Sequence, residues 1–485
     1  MCFSPFPLLQ AEKYRENQPY LWREITAFRV GNSDENYGEI IVNGIKIRVC
    51  KFGGTSMADA ASIKNAGEIV RSDKTRKYVV VSAPGKRFKN DVKITDLLYD
   101  AFRVRNDGNA FFAAFTKIKT RFDEIAAGLG LRRDFTDVYD EIERNIKASE
   151  TPDYAASRGE FLSALITAEY LGFAFIDAKD IVAFGENGAF EPEKTDAAAS
   201  AVLRKNEYAV IPGFYGADKE TRIITFSRGG SDITGSIIAR AAKADIYENW
   251  TDVDGFLTAD PRIVKNPRLI ERLSYKELRE LSYMGASVLH HEAIFPVKRE
   301  GIPINVRNSF DKTKPGTMIV PFSEYEATDR VVTGIAGKKG YSVIHIEKSL
   351  LNNEVGFVRR VLSVLEEYKI SFEHMPTGID TMSIVLADGE FKIPRGELLE
   401  KISEAVAPDT ITVSDGLSLI AVVGHGMARK IGTAATICAA LSDAGVNIKM
   451  IDQGSSELNI IVAVDTADYE KAINAVYAAF IDKSA

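Results

Sequence analysis

The stretch Lys51-Phe-Gly-Gly-Thr-Ser56 constrains this chain more than any other, because it follows a short apolar run that predicts a buried strand, Ile45 to Cys50. Glycines let backbone N–H groups approach an anion closely, and a lysine adds a mobile positive charge. In a Walker A loop the lysine follows the glycines, whereas here it precedes them, which indicates a different nucleotide fold. A phosphate site is one interpretation, and a glycine turn beside a solvated lysine is the other.

Length and composition set the class of protein. The 485 residues predict several domains, and 45% hydrophobic with 27% charged residues is typical of a globular protein. The net charge of −7 argues against a nucleic-acid or membrane-surface role, although local Lys and Arg can still bind anionic substrates. Three distant cysteines predict a reducing, cytoplasmic setting without a structural zinc site. No apolar run is long enough for a membrane span, and the N-terminal residues predict no secretion signal.

The order of elements predicts an α/β domain over residues 45–325, preceded by a polar and aromatic extension, 1–44, that we expect to be poorly ordered or peripheral. Short apolar strands alternating with helices favour a three-layer α/β/α arrangement around a mainly parallel sheet. Ligands then bind at the carboxyl ends of the strands. The predicted strands are Tyr78–Ser82, Phe173–Asp177, Tyr208–Ile211, Ile223–Phe226 and Ala244–Trp250, and the predicted helices include Phe161–Leu171 and Asp232–Ala242.

The C-terminal third contains an internal duplication. Gly356 matches Gly432, and Ile370-Ser-Phe matches Val446-Asn-Ile, at one constant offset (432 − 356 = 76). Each copy reads as strand, glycine loop, helix, strand, strand and helix, which is the split βαβ order of a ferredoxin-like domain, βαββαβ. The sequence therefore predicts two such domains, at residues 330–413 and 414–485.

A second glycine-rich stretch, Ser227 to Asp232, lies between a predicted strand and a helix. Backbone N–H groups and the helix dipole make such a junction an anion site, and Arg228 can bind a carboxylate with two parallel hydrogen bonds. Asp232 has a structural alternative as the N-cap of the helix.

Two further stretches have structural and functional interpretations. Glu160, in Ser157-Arg-Gly-Glu160, reads as a first-turn carboxylate at the start of an apolar helix, or as a ligand-binding group. Thr251-Asp-Val-Asp-Gly255, leading to Arg262, reads as an Asp-Gly turn or as a nucleotide-contacting loop.

Together these stretches resemble the aspartate kinases of the amino-acid kinase family, from about residue 47 to 320, and the duplicated part looks like the family's tandem ACT domains. The matching pieces are Lys51-Phe-Gly-Gly-Thr-Ser, Val79-Val-Val-Ser82-Ala, Ser157-Arg-Gly-Glu160, Gly213-Phe-Tyr-Gly216, Arg228-Gly-Gly-Ser-Asp232, Thr251-Asp-Val-Asp-Gly255, Ala259-Asp-Pro-Arg262 and Met284-Gly-Ala-Ser-Val-Leu-His290.

The resemblance implies phosphorylation of the β-carboxylate of L-aspartate by Mg-ATP, giving 4-phospho-L-aspartate, at the first step of lysine, threonine and methionine biosynthesis. A carboxylate is already a nucleophile at neutral pH, so the task is to bring two anions together and stabilise the transferring phosphoryl group. The resemblance implies no metal site from the protein alone, with Mg²⁺ arriving on ATP. It assigns Lys51 and Asp232 to catalysis, Ser82, Thr95, Glu160, Arg228 and Ser231 to aspartate, and Gly53, Gly54, Thr55, Ser56, Gly229, Gly230, Thr251, Asp252 and Arg262 to the nucleotide.

Tandem ACT-like domains imply regulation by an amino acid, with lysine expected and threonine as the alternative, and pairing of chains as a homodimer or larger assembly. Glu373 is expected to accept the effector's ammonium group, although a solvated carboxylate at a strand edge is the plainer interpretation. The residues that match the effector region of lysine-sensitive relatives are Leu351, Asn353, Gly356, Phe357, Ser371, Phe372 and Glu373.

Two departures from the family pattern lie on the nucleotide side: Ser287 stands where many members carry lysine, and Leu257 where many carry tyrosine. They favour one alternative, a non-catalytic amino-acid sensor on a kinase fold. The other alternative is an amino-acid kinase for glutamate, acetylglutamate or carbamate. The Ser157–Glu160 and Thr251–Arg262 stretches and the duplication argue against that second alternative.

Overall fold

The computed structural model describes residues 46–482, apart from 228, 287, 290 and 322–329. The expected N-terminal extension, 1–44, lies outside the described residues, and its role stays a prediction. None of the described helices is both long and apolar enough to cross a membrane.

The N-terminal part is built on an eight-stranded sheet with the order β3-β4-β2-β1-β7-β9-β10-β8. Neighbouring strands are parallel from β3 to β9; β10 is antiparallel to β9 and parallel to β8. The strands of this part, including a separate β5–β6 hairpin, are β1 (Arg48–Phe52), β2 (Arg76–Val81), β3 (Ala174–Phe175), β4 (Ala209–Pro212), β5 (Tyr215–Ala217), β6 (Ile223–Thr225), β7 (Ile246–Thr251), β8 (Arg272–Ser274), β9 (Ile304–Asn308) and β10 (Thr317–Val320).

Helices cover both faces of this sheet. Five pack on one face: α1 (Ala60–Arg71), α2 (Ile94–Arg103), α3 (Gly108–Leu129), α4 (Thr136–Ala148) and α5 (Asp153–Leu171). Four pack on the other: α6 (Pro192–Leu203), α7 (Gly230–Ala241), α8 (Tyr275–Tyr283) and α9 (Ile294–Glu300).

The alternation of side chains along the central strands explains the layers. Val80 of β2 lies in the core beside α6 to α9, whereas Val79 and Val81 lie in the core beside α1 to α5. Successive residues of a strand point to opposite faces, so an all-apolar strand buries both. The predicted three-layer α/β/α arrangement with a mainly parallel sheet is confirmed.

One local prediction for this part needs a correction and another is wrong. The predicted strand Ile223–Phe226 forms β6, Ile223–Thr225, but it pairs with β5 in a separate antiparallel hairpin and not with the main sheet. Glu160 is not in the first turn of its helix, since α5 begins at Asp153, and α5 is buried along most of its length. Dipole complementarity at a helix start therefore does not explain a carboxylate at position 160.

The C-terminal part forms one five-stranded antiparallel sheet with the order β12-β11-β13-β15-β14. Its strands are β11 (Gly334–Glu347), β12 (Thr381–Ala387), β13 (Thr410–Val423), β14 (Met450–Asp452) and β15 (Asn459–Asp465), and its helices are α10 (Phe357–Glu367), α11 (Arg395–Val406), α12 (Thr433–Asp443) and α13 (Tyr469–Tyr477). The expected duplication is visible in the glycines before α10 and α12, since Gly356 and Gly432 have φ of 83° and 90°.

Two long strands join the copies into one sheet. The start of β11 pairs with the end of β13, and its second half pairs with β12 and the start of β13. Ile335, near the start of β11, lies in the core of the second copy, while Ile344 lies in that of the first. The expected boundary between residues 413 and 414 stays a prediction.

The third element of each copy differs from the sequence prediction. Residues 370–372 form no strand; the chain that follows makes two isolated antiparallel bridges, His374 with Val385 and Thr377 with Met382. In the second copy the corresponding strand, β14, begins at Met450 rather than at Val446. Ser371 and Phe372 are exposed, which leaves little apolar burial to hold a strand at this place.

Candidate active site

Lys51 and Asp232 form the centre of the candidate site. Lys51 lies near the carboxyl end of β1, and its Nζ is 2.6 Å from Oδ1 of Asp232, which projects from the first turn of α7. Lys51 is 8% exposed, and Asp232 is its only ion-pair or hydrogen-bond partner within the described part of the chain. An ammonium group has three N–H donors, so two remain for a ligand.

The glycine loop after β1 closes tightly on the loop after β2. The N–H of Gly85 donates to the carbonyl of Gly54 at 2.8 Å, and a Cβ at Gly85 would lie 2.7 Å from the Gly54 carbonyl carbon. Only glycine permits that approach. Gly53 lies beside the ammonium group, since a Cβ built on it would be 3.6 Å from Lys51 Nζ.

Hydroxyls of the same loop contact the end of β7. Thr55 Oγ1 donates to Asp252 Oδ2 at 3.1 Å, and Thr251 Oγ1 donates to Asp252 Oδ1 at 3.3 Å. Ser56 Oγ lies 2.8 Å from Ser309 Oγ, at the end of β9. The structure thus brings Lys51–Ser56 and Thr251–Asp252 to one edge of the sheet, where the sequence predicts a phosphate-binding loop.

The start of α7 faces the same edge. Gly229 precedes the helix with φ of 60°, the left-handed region that glycine adopts at low cost, followed by Gly230 and the buried Ser231. Asp232 is therefore the third residue of the helix, and its predicted N-cap alternative is wrong. Arg228, which the sequence assigns to a substrate carboxylate, lies outside the described residues.

Glu160 is a buried carboxyl group that lacks a full set of partners. The residue is 6% exposed, and its Oε2 has no hydrogen-bond partner. Burial raises the pKa of the Glu160 carboxyl to about 8, although the backbone N–H of Ala83 and the charges of Arg158 and Lys51 act to lower it. An unsatisfied buried carboxyl oxygen costs free energy unless a ligand donates to it.

Ser82 and Thr95, two further residues assigned to aspartate, are neighbours in sequence of Ala83 and Ile94, which lie against Gly159 beside Glu160. Ser82 follows β2, and its N–H donates to the carbonyl of Phe52 at 3.1 Å. Thr95 lies in the first turn of α2, whose first residue, Ile94, donates its N–H to the Pro84 carbonyl. Both are half-buried, and their roles toward a substrate stay predictions.

A cleft of about 340 Å³ opens beside Thr251 and Asp252 and reaches the C-terminal sheet. Its walls include Leu257, Gly337 and Tyr469. Arg262 borders the cleft with its side chain 86% exposed, paired to Asp260 at 2.5 Å. Ser287, the other departure from the family pattern, lies outside the described residues.

Comparison with known proteins identifies the family of this chain. A model described as the amino acid kinase family matches residues 46–308, and an ACT domain model matches 420–480. Aspartokinase 3 of Bacillus subtilis is 38% identical over 450 residues, covering 90% of this chain and 98% of the relative. The chain belongs to the aspartate kinases. It therefore phosphorylates aspartate with a nucleotide in the aspartate pathway, under allosteric regulation.

Two other aspartate kinases are similar over most of the chain. A crystal structure of the Clostridium acetobutylicum aspartate kinase is 49% identical with a TM-score of 0.84, and the match covers 90% of this chain and 100% of that one. The lysine-sensitive aspartokinase 3 of Escherichia coli is 27% identical over 462 residues, covering 89% of this chain and 98% of the relative.

The effector residues expected in this aspartate kinase divide into buried and exposed sets. Leu351 and Phe357 are buried in the core of the first copy, Gly356 is half-buried, and Asn353, Ser371 and Phe372 are exposed. Glu373 is half-buried, and its Oε2 accepts a hydrogen bond of 2.5 Å from the hydroxyl of Tyr283. Glu373 is therefore bonded to the last residue of α8, while its role toward an effector stays a prediction.

Two contacts of the candidate site and effector region involve residues that the sequence motifs do not include. Asn249 donates its side-chain amide to Asp232 Oδ1 at 3.0 Å, and Tyr283 contacts Glu373. The polar pair Glu248-Asn249 inside an otherwise apolar strand was the available signal for the first. Nothing local marks Tyr283, because its partner is ninety residues away in the sequence.

Proposed function

We propose that this aspartate kinase transfers the γ-phosphoryl group of Mg-ATP to the β-carboxylate of L-aspartate, with Lys51 stabilising the transferring group and Glu160 binding the substrate ammonium. The proposal rests on two neighbouring polar groups whose hydrogen-bonding capacity is not fully used. Lys51 has N–H donors left for phosphate, and Glu160 has a buried oxygen left for a donor.

The reaction needs no general base. An oxygen of the aspartate β-carboxylate attacks the γ-phosphorus, the new O–P bond forms, and the bond from that phosphorus to the bridging oxygen breaks to release ADP. The products are 4-phospho-L-aspartate and ADP, so atoms and charge balance. Catalysis then consists of positioning two anions and stabilising the charge between them.

The polypeptide supplies the cationic and amide contacts of that step. Lys51 stays close to the glycine loop through its bond to Asp232, so its ammonium group is held where the phosphoryl group passes. The start of α7, with Gly229, Gly230 and Ser231, presents backbone N–H groups and the positive end of the helix dipole. We assign Arg228 to the substrate α-carboxylate, and Ser82 and Thr95 to aspartate, on the resemblance.

The site suits a Mg²⁺ ion that enters bound to the phosphates of ATP. No group of three or more His, Cys, Asp and Glu able to hold a metal occurs among the described residues. Mg²⁺ is usually bound by one or two carboxylates together with substrate phosphates, and Asp232 and Asp252 are the carboxylates at this edge. When bound, the ion would neutralise phosphate charge.

The cleft beside β7 suits the remainder of the nucleotide. It joins the Thr251–Asp252 end of the strand to apolar walls that a base can contact, including Leu257. Arg262 at its border supplies a mobile guanidinium group for phosphate. Leu257 provides an apolar wall but lacks the aromatic ring of the tyrosine that many family members carry there. The adenine base would therefore be held here by burial against an aliphatic side chain and not by stacking on a ring.

An aspartate-dependent ADP-release assay with a hydroxamate readout tests the substrate. We expect ADP release only with L-aspartate, and formation of the aspartyl hydroxamate when hydroxylamine is present. Glutamate, acetylglutamate and carbamate are the control acids. Equal turnover with any of them would overturn the proposed acceptor.

We further propose that lysine inhibits the enzyme through the first C-terminal copy, and that chains pair there as a homodimer or larger assembly. A relative that covers most of this chain is named lysine-sensitive. Exposed apolar side chains near the expected effector loops, Val355, Phe372 and Ile379, suit an interface between copies.

A hydrogen bond connects the proposed effector region to the catalytic part. Tyr283 donates to Glu373, and two residues later Gly285 lines the nucleotide cleft. Burial and the bond to Glu373 raise the pKa of Tyr283 well above its usual value, so the phenol stays a donor at neutral pH. An effector ammonium group that takes Glu373 would remove this partner from Tyr283, at the edge of the cleft.

Lysine is expected to inhibit ADP release in a dose-dependent way, and Glu373→Gln is expected to raise the half-inhibitory concentration about tenfold or more, because a hydrogen bond to a charged group is lost. Glu404→Gln is the matched control, since Glu404 is an exposed carboxylate on α11 whose ion-pair partner in the described part of the chain is Lys401. Absence of inhibition by lysine and threonine, alone or together, would contradict the proposal.

A further inference from the structure

Asn249 meets the catalytic pair from the neighbouring strand. In the parallel register of β1 and β7, Asn249 lies opposite Lys51, and the two side chains point to the same face. Asn249 Nδ2 lies 3.0 Å from Asp232 Oδ1, and Lys51 Nζ lies 2.6 Å from that same oxygen. One carboxylate oxygen therefore receives two donors that come from adjacent strands.

This double contact fixes the direction of the Asp232 carboxylate. A single bond to a lysine leaves a carboxylate free to turn, because an ammonium group can donate from many directions. A planar side-chain amide rooted in a sheet is more restrictive. With Oδ1 held by Lys51 and Asn249, Oδ2 has no partner among the described residues and stays open to the ligand side.

Among the described residues, the side-chain amide of Asn249 has one hydrogen-bond partner, the carboxylate of Asp232. Asn249 is 2% exposed, and its Oδ1 is buried without a hydrogen-bond partner. Its neighbour on the other side, in β9, is the apolar Val306. A buried amide with half of its capacity unused costs stability that an apolar residue would avoid. On this face, the hydrogen bond to Asp232 is the described interaction that offsets this cost.

We propose that Asn249 is a positioning residue for phosphoryl transfer: it holds Asp232 so that Lys51 and the open oxygen of the carboxylate stay in place as the γ-phosphoryl group moves. The inference rests on the proposed roles of Lys51 and Asp232. It predicts a defect in kcat with little change in the KM values for aspartate and ATP, because Asn249 is buried behind Asp232 and acts through that carboxylate.

Asn249→Leu removes the donor at nearly constant volume. We expect kcat to fall about 10- to 100-fold, the loss that follows removal of one hydrogen bond to a charged group, with both KM values within about twofold of the parent. The melting temperature should be unchanged or higher, since the unsatisfied oxygen is removed as well. If Asn249→Leu fails to fold, Asn249→Ala also lacks a side-chain donor and takes its place.

Tyr247→Phe is the matched control. Tyr247 lies two residues earlier on the same strand and face, and its hydroxyl donates to the main-chain carbonyl of Asp232 at 3.1 Å. The substitution removes a bond to the same residue without touching its carboxylate, so kcat should fall by less than about threefold. Equal losses in the two variants would show a general structural effect and overturn the inference.

Asp232→Asn separates the inference from the proposed function. Full turnover of Asp232→Asn would overturn the role of Asp232 and, with it, that of Asn249. A strong loss in Asp232→Asn together with parental kcat in Asn249→Leu would overturn the positioning role alone. A kcat-only defect in Asn249→Leu, beside a strong loss in Asp232→Asn, is the expected result.

Discussion

Lys51→Ala is expected to lower kcat/KM by about 10³-fold or more, as removal of a preorganised positive group from a phosphoryl-transfer site does. The side chain lies in a largely buried position between the glycine loop and Asp232, and no other described cation contacts this carboxylate. An incoming phosphate therefore meets its strongest single charge at Lys51. Water admitted by an alanine would replace a fixed charge with solvent that must reorganise during the reaction.

The experiment compares three variants under saturating Mg-ATP. Lys51→Arg keeps the charge but not the compact ammonium geometry, so it should recover part of the loss. Lys77→Ala is the control, because Lys77 lies on the adjacent strand β2 and its side chain pairs, among the described residues, with the exposed Glu207 at 3.5 Å. Near-parental kcat/KM in purified, folded Lys51→Ala would contradict the assignment of Lys51.

The sequence predicted the layers of the fold because burial on both faces leaves a clear signal. Apolar strands such as β2 and β4 are almost wholly buried. Their alternation with helices indicates a parallel sheet with helices on both faces. The strand β6 was predicted, but not its pairing in a separate hairpin, because a three-residue apolar strand reads the same in either sheet. Pairing depends on residues distant in the sequence, and composition does not report them.

The duplicated region shows the same limit more clearly. A constant offset in the sequence identified two copies. It could not show that the long strands β11 and β13 each belong to the sheets of both copies, because that depends on which residues of the two strands pair. A bulge near Lys339 and Tyr341 marks where the pairing of β11 changes. Only the long-range hydrogen bonds of the sheet contain this information.

The sequence predicted those parts of the candidate site that consist of consecutive residues in a motif. Loops after β1, β2 and β7 carry their residues to one edge because parallel strands end together there. The orientation of Asp232 toward Lys51, which are separated by most of the N-terminal part, came only from resemblance. Asn249 and the Tyr283–Glu373 bond are contacts between distant side chains, and no motif contains them.

The aspartate KM is expected to fall as pH rises toward about 8, roughly tenfold per pH unit at low pH, and to level off above that value. Burial raises the pKa of Glu160 to about 8, so the carboxyl is mainly protonated at neutral pH in the free enzyme. A substrate ammonium group needs the ionised form. Aspartate must therefore displace a proton, and its apparent affinity rises as protons become scarce.

Glu160→Gln is the decisive variant. It removes the titrating group, so the aspartate KM should be high and nearly independent of pH between about 6 and about 8.5. Glu169→Gln is the matched control, because Glu169 lies on the same helix, is half-exposed and pairs with Arg133 at 3.6 Å. Calorimetry of aspartate binding in buffers of different ionisation enthalpy should show release of close to one proton near neutral pH, and none in Glu160→Gln.

Stability gives an independent check on the sign. The folded pKa of Glu160 lies above the unfolded value, so its contribution to the free energy of unfolding is fully present at acid pH and is lost as pH rises through about 8. Bound aspartate should offset that loss by pairing with the ionised carboxylate, and ligand stabilisation should therefore grow with pH over this window. A wild-type aspartate KM that does not change with pH, or an equal slope in Glu160→Gln, would show that another group binds the ammonium.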